Sequence, residues 1–250
     1  MRQHQEKNSK VDFGFERIEA NQKTARVKGL FGRVANNYDI MNDLMSLGLH
    51  RLWKDEMVKL IPKKGCLLDV AGGTGDIAIR YLQSGGQRVV VCDLTPDMLA
   101  AGQRQADRAG FFTAIEFVEG DAEQLPFADK SFDAVTIAFG LRNITNKEKS
   151  LSEMRRVLKP GGQFVCLEFS KVVVPGFDRL YQTYNFSLLP LLGKYVARQE
   201  DAYRYLAESI AVFYSQEELV QKMKLCGFEK IGYQNLMAGI VALHYGQAPL

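Results

Sequence analysis

The chain has 250 residues, of which 46% are apolar and 24% are charged, and its formal net charge is +3. This length and composition fit one large domain with a sizeable core and exclude collagen-like and disordered chains. The charge is too small and too dispersed for the basic stripe of a nucleic-acid-binding protein, so we expect no nucleic-acid partner. The four cysteines form no CxxC pair, which argues against a disulfide framework and a zinc site.

The amino-terminal region holds the whole formal excess of basic charge. Its first 30 residues include seven basic and four acidic ones, with little apolar periodicity before Val27. We therefore predict that residues 1–26 are a basic, partly flexible arm and that residues 27–250 are a single domain. A solvated tail and a weak contact with anionic lipid headgroups are both open for this arm. No apolar run reaches the ~20 residues of a transmembrane helix, and we expect a cytoplasmic protein that can touch the inner face of the membrane.

Hydrophobic periodicity predicts an α/β fold. Residues 27–60 have a helical pattern, which predicts a cap of amphipathic helices. After this cap, helix-like stretches start near Gly75, Pro96, Lys147 and Ser215. They alternate with the β-rich runs Cys66–Val70, Arg88–Cys92, Ile115–Val118, Ala134–Ala138 and Gln163–Phe169. Two more strand-like runs follow, Glu229–Asn235 and Ile240–Tyr245. The sequence therefore predicts a seven-stranded, mostly parallel sheet with helices on both faces and an antiparallel edge.

A glycine-rich turn follows the first β-rich run. Asp69 lies near the end of that run, and Gly72, Gly73, Thr74 and Gly75 come directly after it. Glycine lets the backbone approach a ligand closely and adopt a positive φ, as nucleotide-cofactor sites require. The turn therefore predicts a nucleotide-cofactor site, although the GxGxx(G/A) spacing alone is a weak indication of a dinucleotide.

Acidic residues after the next two runs narrow the choice of cofactor. Asp93 ends the second run, where its carboxylate can accept hydrogen bonds from both ribose hydroxyls. NAD and S-adenosylmethionine share that need. Asp121 and Ala122 follow the third run, and the carboxylate can accept a bond from an adenine amino group. Asp69 and Asp76 make the glycine turn acidic, which disfavours a pyrophosphate but tolerates a sulfonium and an α-ammonium group. These features favour S-adenosylmethionine.

Longer motifs resemble one methyltransferase family. The order of the motifs is similar to that of class I methyltransferases, which implies a Rossmann-like fold. The string Tyr38–Ser46, continuing to His50 and Trp53, and the string Arg156–Ser170 resemble the ubiquinone/menaquinone biosynthesis C-methyltransferase family. Phe139–Asn143 between them is also similar to that family. The resemblance extends from about Val27 to nearly the end of the chain.

The resemblance implies methyl transfer from S-adenosylmethionine to a carbon of a polyprenylated hydroquinone ring. The family's cofactor positions correspond to Thr74, Asp93, Asp121 and Ala122, and a further position, often serine in relatives, is Ala138 here. A contact at Ala138 must therefore use the backbone. Our full set of candidate cofactor-binding residues is Asp69, Gly72, Gly73, Thr74, Gly75, Asp93, Leu94, Asp121, Ala122 and Ala138.

The candidate catalytic residues follow from the need to ionise a phenol, whose pKa of about 10 is too high for reaction near neutral pH. The matching family arginine is Arg142, to which we assign phenolate stabilisation and orientation of a water, with Asn143 as its hydrogen-bonding partner. The resemblance implies that Tyr38 and Asp39 belong to a lid over the ring, although capping and packing of helices would also explain them. His50 is either a base or part of a packed helix face, and Glu168 is a further candidate to face the substrate.

The insertion at residues 171–214 is the expected substrate side. Its apolar segment Tyr181–Gly193 can form a wall for the polyprenyl tail, pack as a helix on the domain, or do both. Another methyltransferase acting on a sterol or lipid, a non-catalytic scaffold of a quinone-biosynthesis complex and an NAD-dependent oxidoreductase are the alternatives. A homodimer and association with the membrane or with such a complex are also open.

Overall fold

The computed structural model describes residues 10–34, 43, 46, 48–176 and 200–250. The strands are β1 (Lys10–Phe13), β2 (Glu16–Glu19), β3 (Cys66–Val70), β4 (Arg88–Asp93), β5 (Ile115–Glu119), β6 (Phe132–Ala138), β7 (Leu158–Phe169), β8 (Glu229–Leu236) and β9 (Val241–Gln247). The helices are α1 (Ala20–Val34), α2 (His50–Lys59), α3 (Asp76–Gln83), α4 (Pro96–Ala109), α5 (Lys147–Val157), α6 (Glu200–Val212) and α7 (Gln216–Leu225). Short 3-10 turns cover Leu141–Asn143 and Met237–Gly239.

Strands β3 to β9 form one seven-stranded sheet in the order β5-β4-β3-β6-β7-β9-β8. Strands β3, β4, β5, β6 and β7 pair in parallel, and β9 is antiparallel to both β7 and β8. This confirms the predicted Rossmann-like sheet and its antiparallel edge. Because β3 has β4 on one side and β6 on the other, the strand order reverses next to β3. Open α/β sheets bind ligands at such a point, beyond the carboxyl ends of the strands.

Two apolar layers cover the faces of the sheet. Neighbouring residues of a strand point to opposite faces, and accordingly Leu67 and Leu68 of β3 belong to different clusters. One cluster includes side chains of α2, α3, α4 and α6, and the other includes side chains of α5 and α7. The predicted helices on both faces are therefore confirmed. Among the residues that the structure describes, no helix is long and apolar enough to cross a bilayer.

Local signals in the sequence position several helix ends. Ser215 accepts a hydrogen bond from the backbone N–H of Glu218, and the Glu218 side chain accepts one from the Ser215 N–H, so a capping box starts α7 at the predicted position. Pro96 is the first residue of α4, and Gly110 ends that helix with a left-handed φ of 79°. These signals depend on residues close together in the sequence, so they can be recognised from the sequence alone.

The amino-terminal region differs from the predicted flexible arm. Residues 10–19 form the hairpin β1–β2, and α1 begins at Ala20, before the predicted cap. The Phe13 ring stacks on Tyr205 of α6 at 4.3 Å, and Ile18 is buried, so contacts with distant residues hold the hairpin on the domain. Each strand has only four residues, too few to show a clear periodicity. Residues 1–9 lie outside the described part.

Candidate functional site

A cleft with about 810 Å³ of empty space, open solvent at its mouth included, lies at the carboxyl ends of β3, β4, β5 and β6. Six of the predicted cofactor residues line it, namely Gly73, Asp93, Leu94, Asp121, Ala122 and Ala138. Asn143 also lines this cofactor cleft. Asp69, Gly72, Thr74 and Gly75 are not among its lining residues: Asp69 lies in β3, and the other three belong to the turn around Gly73.

The glycine turn needs small residues for two separate reasons. Gly73 has a φ of +56°, which an L side chain rarely adopts. A Cβ on Gly72 would lie 2.6 Å from the Asp69 carboxylate, so any side chain there would push against the strand. On the other side, a Cβ on Gly102 of α4 would lie 2.9 Å from the Thr74 carbonyl oxygen. The turn is therefore held closely between β3 and α4, which fixes the backbone that faces the cleft.

Asp93 joins the glycine turn to the end of β4. Its carboxylate accepts hydrogen bonds from the backbone N–H of Gly73 at 2.9 Å and of Thr95 at 2.8 Å. Burial raises the pKa of Asp93, against the opposite effect of these two N–H groups. The carboxylate is thereby fixed in orientation at the cleft wall, where a ribose would need an acceptor.

Asp69 lies fully buried beneath the turn. One carboxylate oxygen accepts a hydrogen bond from the Thr136 hydroxyl at 2.8 Å. The other, Oδ2, is buried and has no hydrogen-bond partner within the described ranges. Burial raises the pKa of Asp69 from 3.8 to about 7. An unpaired acceptor of this kind fits a positively charged group held near the turn, such as an α-ammonium.

The structure corrects one step of the sequence argument, the acidity of the glycine turn. The Asp76 carboxylate pairs with Lys54 at 2.8 Å and with Arg80 at 2.9 Å. Although burial opposes them, these two cations hold the pKa of Asp76 below its usual value. Asp76 therefore adds little net negative charge, and the acidic lining of the cleft comes instead from Asp93, Asp121 and Glu123.

The far end of the cleft is the loop after β5. Asp121 accepts a hydrogen bond from the backbone N–H of Glu123 at 2.8 Å, which fixes this loop. The loop is tied to β4 because the Gly120 N–H donates to the Asp93 carbonyl oxygen at 3.1 Å. Asp93 and Asp121 therefore line the same cleft on two loops that this hydrogen bond joins.

Sequence reasoning missed the contribution of α1. Thr24, Val27 and Lys28 line the cleft, and α1 is held across it by Thr24 Oγ1, 3.3 Å from Thr145 Oγ1. The exposed pair of Lys28 and Glu119, at 3.4 Å, adds a second contact. No local pattern indicated these residues, because their partners are far away in the sequence.

The Arg142–Asn143 loop leaves β6 through a tight turn. Phe139, directly after β6, has a φ of 55°, and its carbonyl oxygen accepts hydrogen bonds from Arg142 Nη1 at 2.5 Å and Asn143 Nδ2 at 3.4 Å. Arg142 and Asn143 therefore donate to the same carbonyl oxygen. Asn143 also accepts a bond from the Tyr205 hydroxyl at 3.1 Å. The loop therefore has a fixed geometry at the edge of the cofactor cleft.

Arg142 itself faces a second cavity. The guanidinium is buried, and its Nη1 lies 2.7 Å from Oε1 of Glu168, which is also buried. Glu168 is therefore the partner of Arg142, whereas the sequence left it as a group that faces the substrate. The second cavity has about 420 Å³ of empty space, its open mouth included. We name it the basic cavity, after its lining residues Lys23, Arg142 and Lys147.

His50 is packed beside Trp53 on the buried face of α2. Its Nδ1 lies 2.8 Å from the Ser46 hydroxyl. Burial, followed by the neighbouring Lys54, lowers the pKa of His50 to about 4, so the ring is neutral near pH 7. This geometry favours the packed-face interpretation. The predicted lid residues Tyr38 and Asp39 and the segment 181–193 lie outside the described residues.

Comparisons with known proteins identify the family. The family model described as the ubiE/COQ5 methyltransferase family matches residues 19–248. The ubiquinone/menaquinone biosynthesis C-methyltransferase UbiE of Brucella abortus (strain S19) is 48% identical over 240 residues, which are 94% of this chain and 89% of that protein. Both matches include the glycine turn, the acidic loops and the Arg142–Asn143 loop.

Solved structures agree on the fold. A possible histamine N-methyltransferase from Thermotoga maritima aligns with a TM-score of 0.65 at 19% identity, over 89% of this chain and 99% of that one. Phosphoethanolamine N-methyltransferase 2 of Haemonchus contortus, solved with S-adenosyl-L-methionine, aligns with a TM-score of 0.56 at 17% identity, over 77% of this chain and 51% of that one. These identities show the fold alone. The family match and the close relative show that the chain belongs to the ubiE/COQ5 methyltransferase family.

Proposed function

We propose that this protein methylates a ring carbon of a polyprenylated hydroquinone with S-adenosylmethionine as the methyl donor. The observation that carries the proposal is the arrangement of an acidic cleft beside the fixed Arg142–Asn143 loop, in a chain of the ubiE/COQ5 family. The names of the curated relatives supply the substrate class, a quinol of ubiquinone or menaquinone biosynthesis.

The described residues fit the cofactor. When bound, S-adenosylmethionine supplies a methyl group on a sulfonium, which is a good leaving group. In our proposal Asp93 accepts the ribose hydroxyls, and Asp121 with Ala122 holds the adenine. Asp69, whose Oδ2 has no hydrogen-bond partner in the described part of the chain, takes the α-ammonium group. Gly72, Gly73, Thr74 and Gly75 shape the turn, and Leu94 and Ala138 pack along the cleft, Ala138 through its backbone.

The protein's task in the chemical step is to raise electron density on the ring carbon. Loss of the hydroxyl proton to water turns the phenol into a phenolate, whose ring carbon is a far better nucleophile for the methyl group. After the methyl group is attached, loss of the proton on that carbon to water restores the aromatic ring. We assign stabilisation of that phenolate to Arg142, because a guanidinium is always charged and holds its donors in a rigid plane. Asn143 connects the two cavities, since it lines the cofactor cleft and bonds to Tyr205 of the basic cavity. Tyr38 and Asp39 stay predictions as lid residues over the ring.

The direct test is methyl transfer from labelled S-adenosylmethionine to each of two demethylated quinols, one a benzoquinol and one a naphthoquinol. We expect label on the ring carbon of at least one of them, and the ratio of the two rates identifies the preferred ring. Calorimetric titration with S-adenosylmethionine and with NAD is the companion measurement. Saturable NAD binding, or label on neither quinol while a sterol or lipid is labelled, would contradict the proposal.

Several further expectations concern the surroundings of the enzyme. The apolar sequence 181–193 supports contact with the polyprenyl tail, and the lipid nature of the substrate supports peripheral contact with a membrane. We also propose a cytoplasmic location, with a homodimer or a quinone-biosynthesis complex as the assembly. Co-sedimentation with anionic vesicles and the solution mass test these points, and a protein that leaves vesicles unbound would remove the membrane contact.

A further inference from the structure

The basic cavity gathers three cations in a largely buried space. Lys23 comes from α1, Arg142 from the loop after β6, and Lys147 from the start of α5. Lys23 is only 2% exposed and Arg142 only 6% exposed. Taking a charged side chain out of water costs several kcal/mol unless it is paired and hydrogen-bonded. Three cations together in such a space therefore require a compensating group.

The hydrogen bonds of the two lysines supply little of that compensation. Lys23 Nζ donates to the Ile144 carbonyl oxygen at 3.4 Å, and Lys147 Nζ donates to the same oxygen at 3.0 Å. One neutral carbonyl thus serves two ammonium groups. Consistent with this crowding, burial and then the charge of Lys147 lower the pKa of Lys23 to about 7, and burial lowers the pKa of Lys147.

Among the described residues, the carboxylates near the cavity make their short contacts with groups other than the two lysines. Glu168 of β7 pairs with Arg142 at 2.7 Å, and Glu148 of α5 pairs with Lys222 at 2.7 Å. Asp12 of β1 lines the cavity but is more than half exposed and lies 3.7 Å from Arg17. Glu123, after β5, accepts a hydrogen bond from the Asn146 backbone N–H at 2.8 Å. Burial keeps the pKa of Lys147 below its usual value, although the charges of Glu148 and Asp12 act to raise it.

A second observation points to a missing acceptor. Arg142 Nε is buried and, in the described ranges, has no hydrogen-bond partner. It belongs to a side chain that lines the basic cavity. Tyr205 and Tyr214 also line the cavity, but their hydroxyls already donate to Asn143 and Glu148, and burial raises the pKa of both phenols. The unpaired Nε and the two lysines together call for an acceptor with negative charge.

The basic cavity and the cofactor cleft are lined by residues that are neighbours in the chain. Asn143, Ile144 and Thr145 line the cofactor cleft, whereas Arg142, directly before them, lines the basic cavity. On α1, Thr24 lines the cleft and Lys23 lines the cavity. An oxygen anion held by the cations would therefore lie next to the cofactor cleft.

We propose that the basic cavity is an oxyanion site formed by Lys23, Lys147 and Arg142, and that its occupant during turnover is the ionised hydroxyl of the hydroquinone substrate. This assignment rests on the proposed function and extends it, because it adds two lysines to the groups that hold the ring. The same chemistry would also accept a free inorganic oxyanion, which the experiment separates from the phenolate.

The test uses the full chain with S-adenosylhomocysteine and nitrohydroquinone, a phenol whose ionisation is visible by absorbance. The measured quantity is the pKa of the bound reporter. We expect the wild-type protein to lower it by about 1 to 3 pH units, the range for a neighbouring opposite charge. Lys23→Met and Lys147→Met should each lose most of that shift. Lys149→Met, an exposed lysine on the same helix α5, is the matched control and should keep it.

Folding is checked in the same variants. Because Lys23 is a buried cation with a lowered pKa, Lys23→Met should raise the melting temperature rather than lower it. An unshifted reporter in the wild type, or a shift retained in Lys23→Met, overturns the proposal. Stabilisation of the wild type by inorganic phosphate, without any shift of the reporter, overturns the phenolate assignment and leaves a free oxyanion as the ligand.

The two proposals fail separately. If the wild type transfers label to a quinol but leaves the reporter unshifted, the function stands and the oxyanion site falls. If no quinol is labelled while the reporter shift is present and depends on Lys23, the site stands and the quinol function falls.

Discussion

The cofactor cleft and the basic cavity are lined by neighbouring residues but have opposite electrostatic character. The cleft is lined by Asp93, Asp121 and Glu123, and the cavity is lined by Lys23, Arg142 and Lys147. Methyl transfer from a sulfonium to a phenolate joins a cation to an anion. A single compartment of either sign would favour one reactant and repel the other, so two neighbouring compartments of opposite sign suit both.

The charged groups of the cleft and of the cavity are held in position in different ways. In the cleft, backbone N–H groups fix the carboxylate of Asp93, so its orientation depends on the turn and the strand end. In the cavity, the cations come from three separate elements and converge only in the folded chain. Changes on either side should therefore affect different steps, and four predictions test this separation.

The largest effect is expected for Arg142→Lys. Lysine keeps the positive charge beside Glu168 but loses the planar donors, so turnover should fall roughly 10²- to 10³-fold, the range for removing an oxyanion donor. Affinity for S-adenosylmethionine should stay near wild type, because Arg142 does not line the cofactor cleft. Raising the pH towards about 10 should recover part of the rate, since solvent then supplies phenolate.

Single-turnover rates and calorimetry measure the two quantities for Arg142→Lys, with circular dichroism as the folding control. Wild-type turnover, or a defect confined to cofactor binding, would remove Arg142 from the chemical step. Tyr38, Asp39 and His50 would then be the next candidates.

Asp69→Asn should make the cofactor-free protein more stable at pH 8, by roughly 2 to 4 kcal/mol. Burial raises the pKa of Asp69 from 3.8 to about 7, so the folded state favours the protonated form. The contribution of the protonated carboxyl to the free energy of unfolding is complete below about pH 4. It is lost as the pH rises to about 7, where the ionised carboxylate destabilises the fold. Asparagine avoids this loss of stability. Affinity for S-adenosylmethionine should fall, because the variant lacks the negative charge proposed to bind the α-ammonium group.

Denaturant unfolding of the Asp69 variant at pH 5 and pH 8 measures the difference, which should grow with pH. Asp107→Asn, an exposed site on α4, is the control and should show no such growth. Equal stability changes at both pH values would mean that burial of Asp69 has no electrostatic cost.

Asp93→Ala should weaken S-adenosylmethionine binding by roughly 1.5 to 3 kcal/mol, the scale of charge-assisted hydrogen bonds. The loss combines the ribose contacts with the acceptor that orients the Gly73 and Thr95 N–H groups. Calorimetry gives the dissociation constant, and Glu116→Gln, an exposed site on β5, serves as control. An unchanged dissociation constant for Asp93→Ala would move the ribose site elsewhere.

His50→Gln should have the smallest effect. Because burial lowers the pKa of His50 to about 4, its ring does not titrate between pH 6 and 9. Glutamine can retain a hydrogen bond with the Ser46 hydroxyl, so we expect turnover within about twofold and an unchanged pH–rate profile. Loss of the ascending limb of that profile in the variant would instead make His50 a base.

Much of the sheet and half of the site could be predicted because their signals are local. A β-rich run that ends in an acidic residue, followed by glycines, places Asp93 and Gly73 at a sheet edge before any tertiary contact is known. Capping of α7 by Ser215 has the same local character.

The rest depended on contacts between distant residues. Lys23 and its acceptor Ile144 are 121 residues apart, and nothing in the sequence near either one indicates the other. Asp76 likewise pairs with a residue of another helix, Lys54 of α2. This pair neutralises a carboxylate that counts as acidic in the sequence alone. Charge counted along a sequence therefore overestimates the charge of a site whenever helices from elsewhere supply counterions.

The carbonyl group of Phe139 makes positions 142 and 143 epistatic. Its oxygen accepts from Arg142 and from Asn143 at once, so replacing either residue changes the geometry available to the other. The effects of Arg142→Lys and Asn143→Ala on turnover should then sum to more than the effect of the double variant. We therefore expect paired substitutions at positions 142 and 143 to be tolerated more readily than single ones. The two residues then act as one unit when this turn changes.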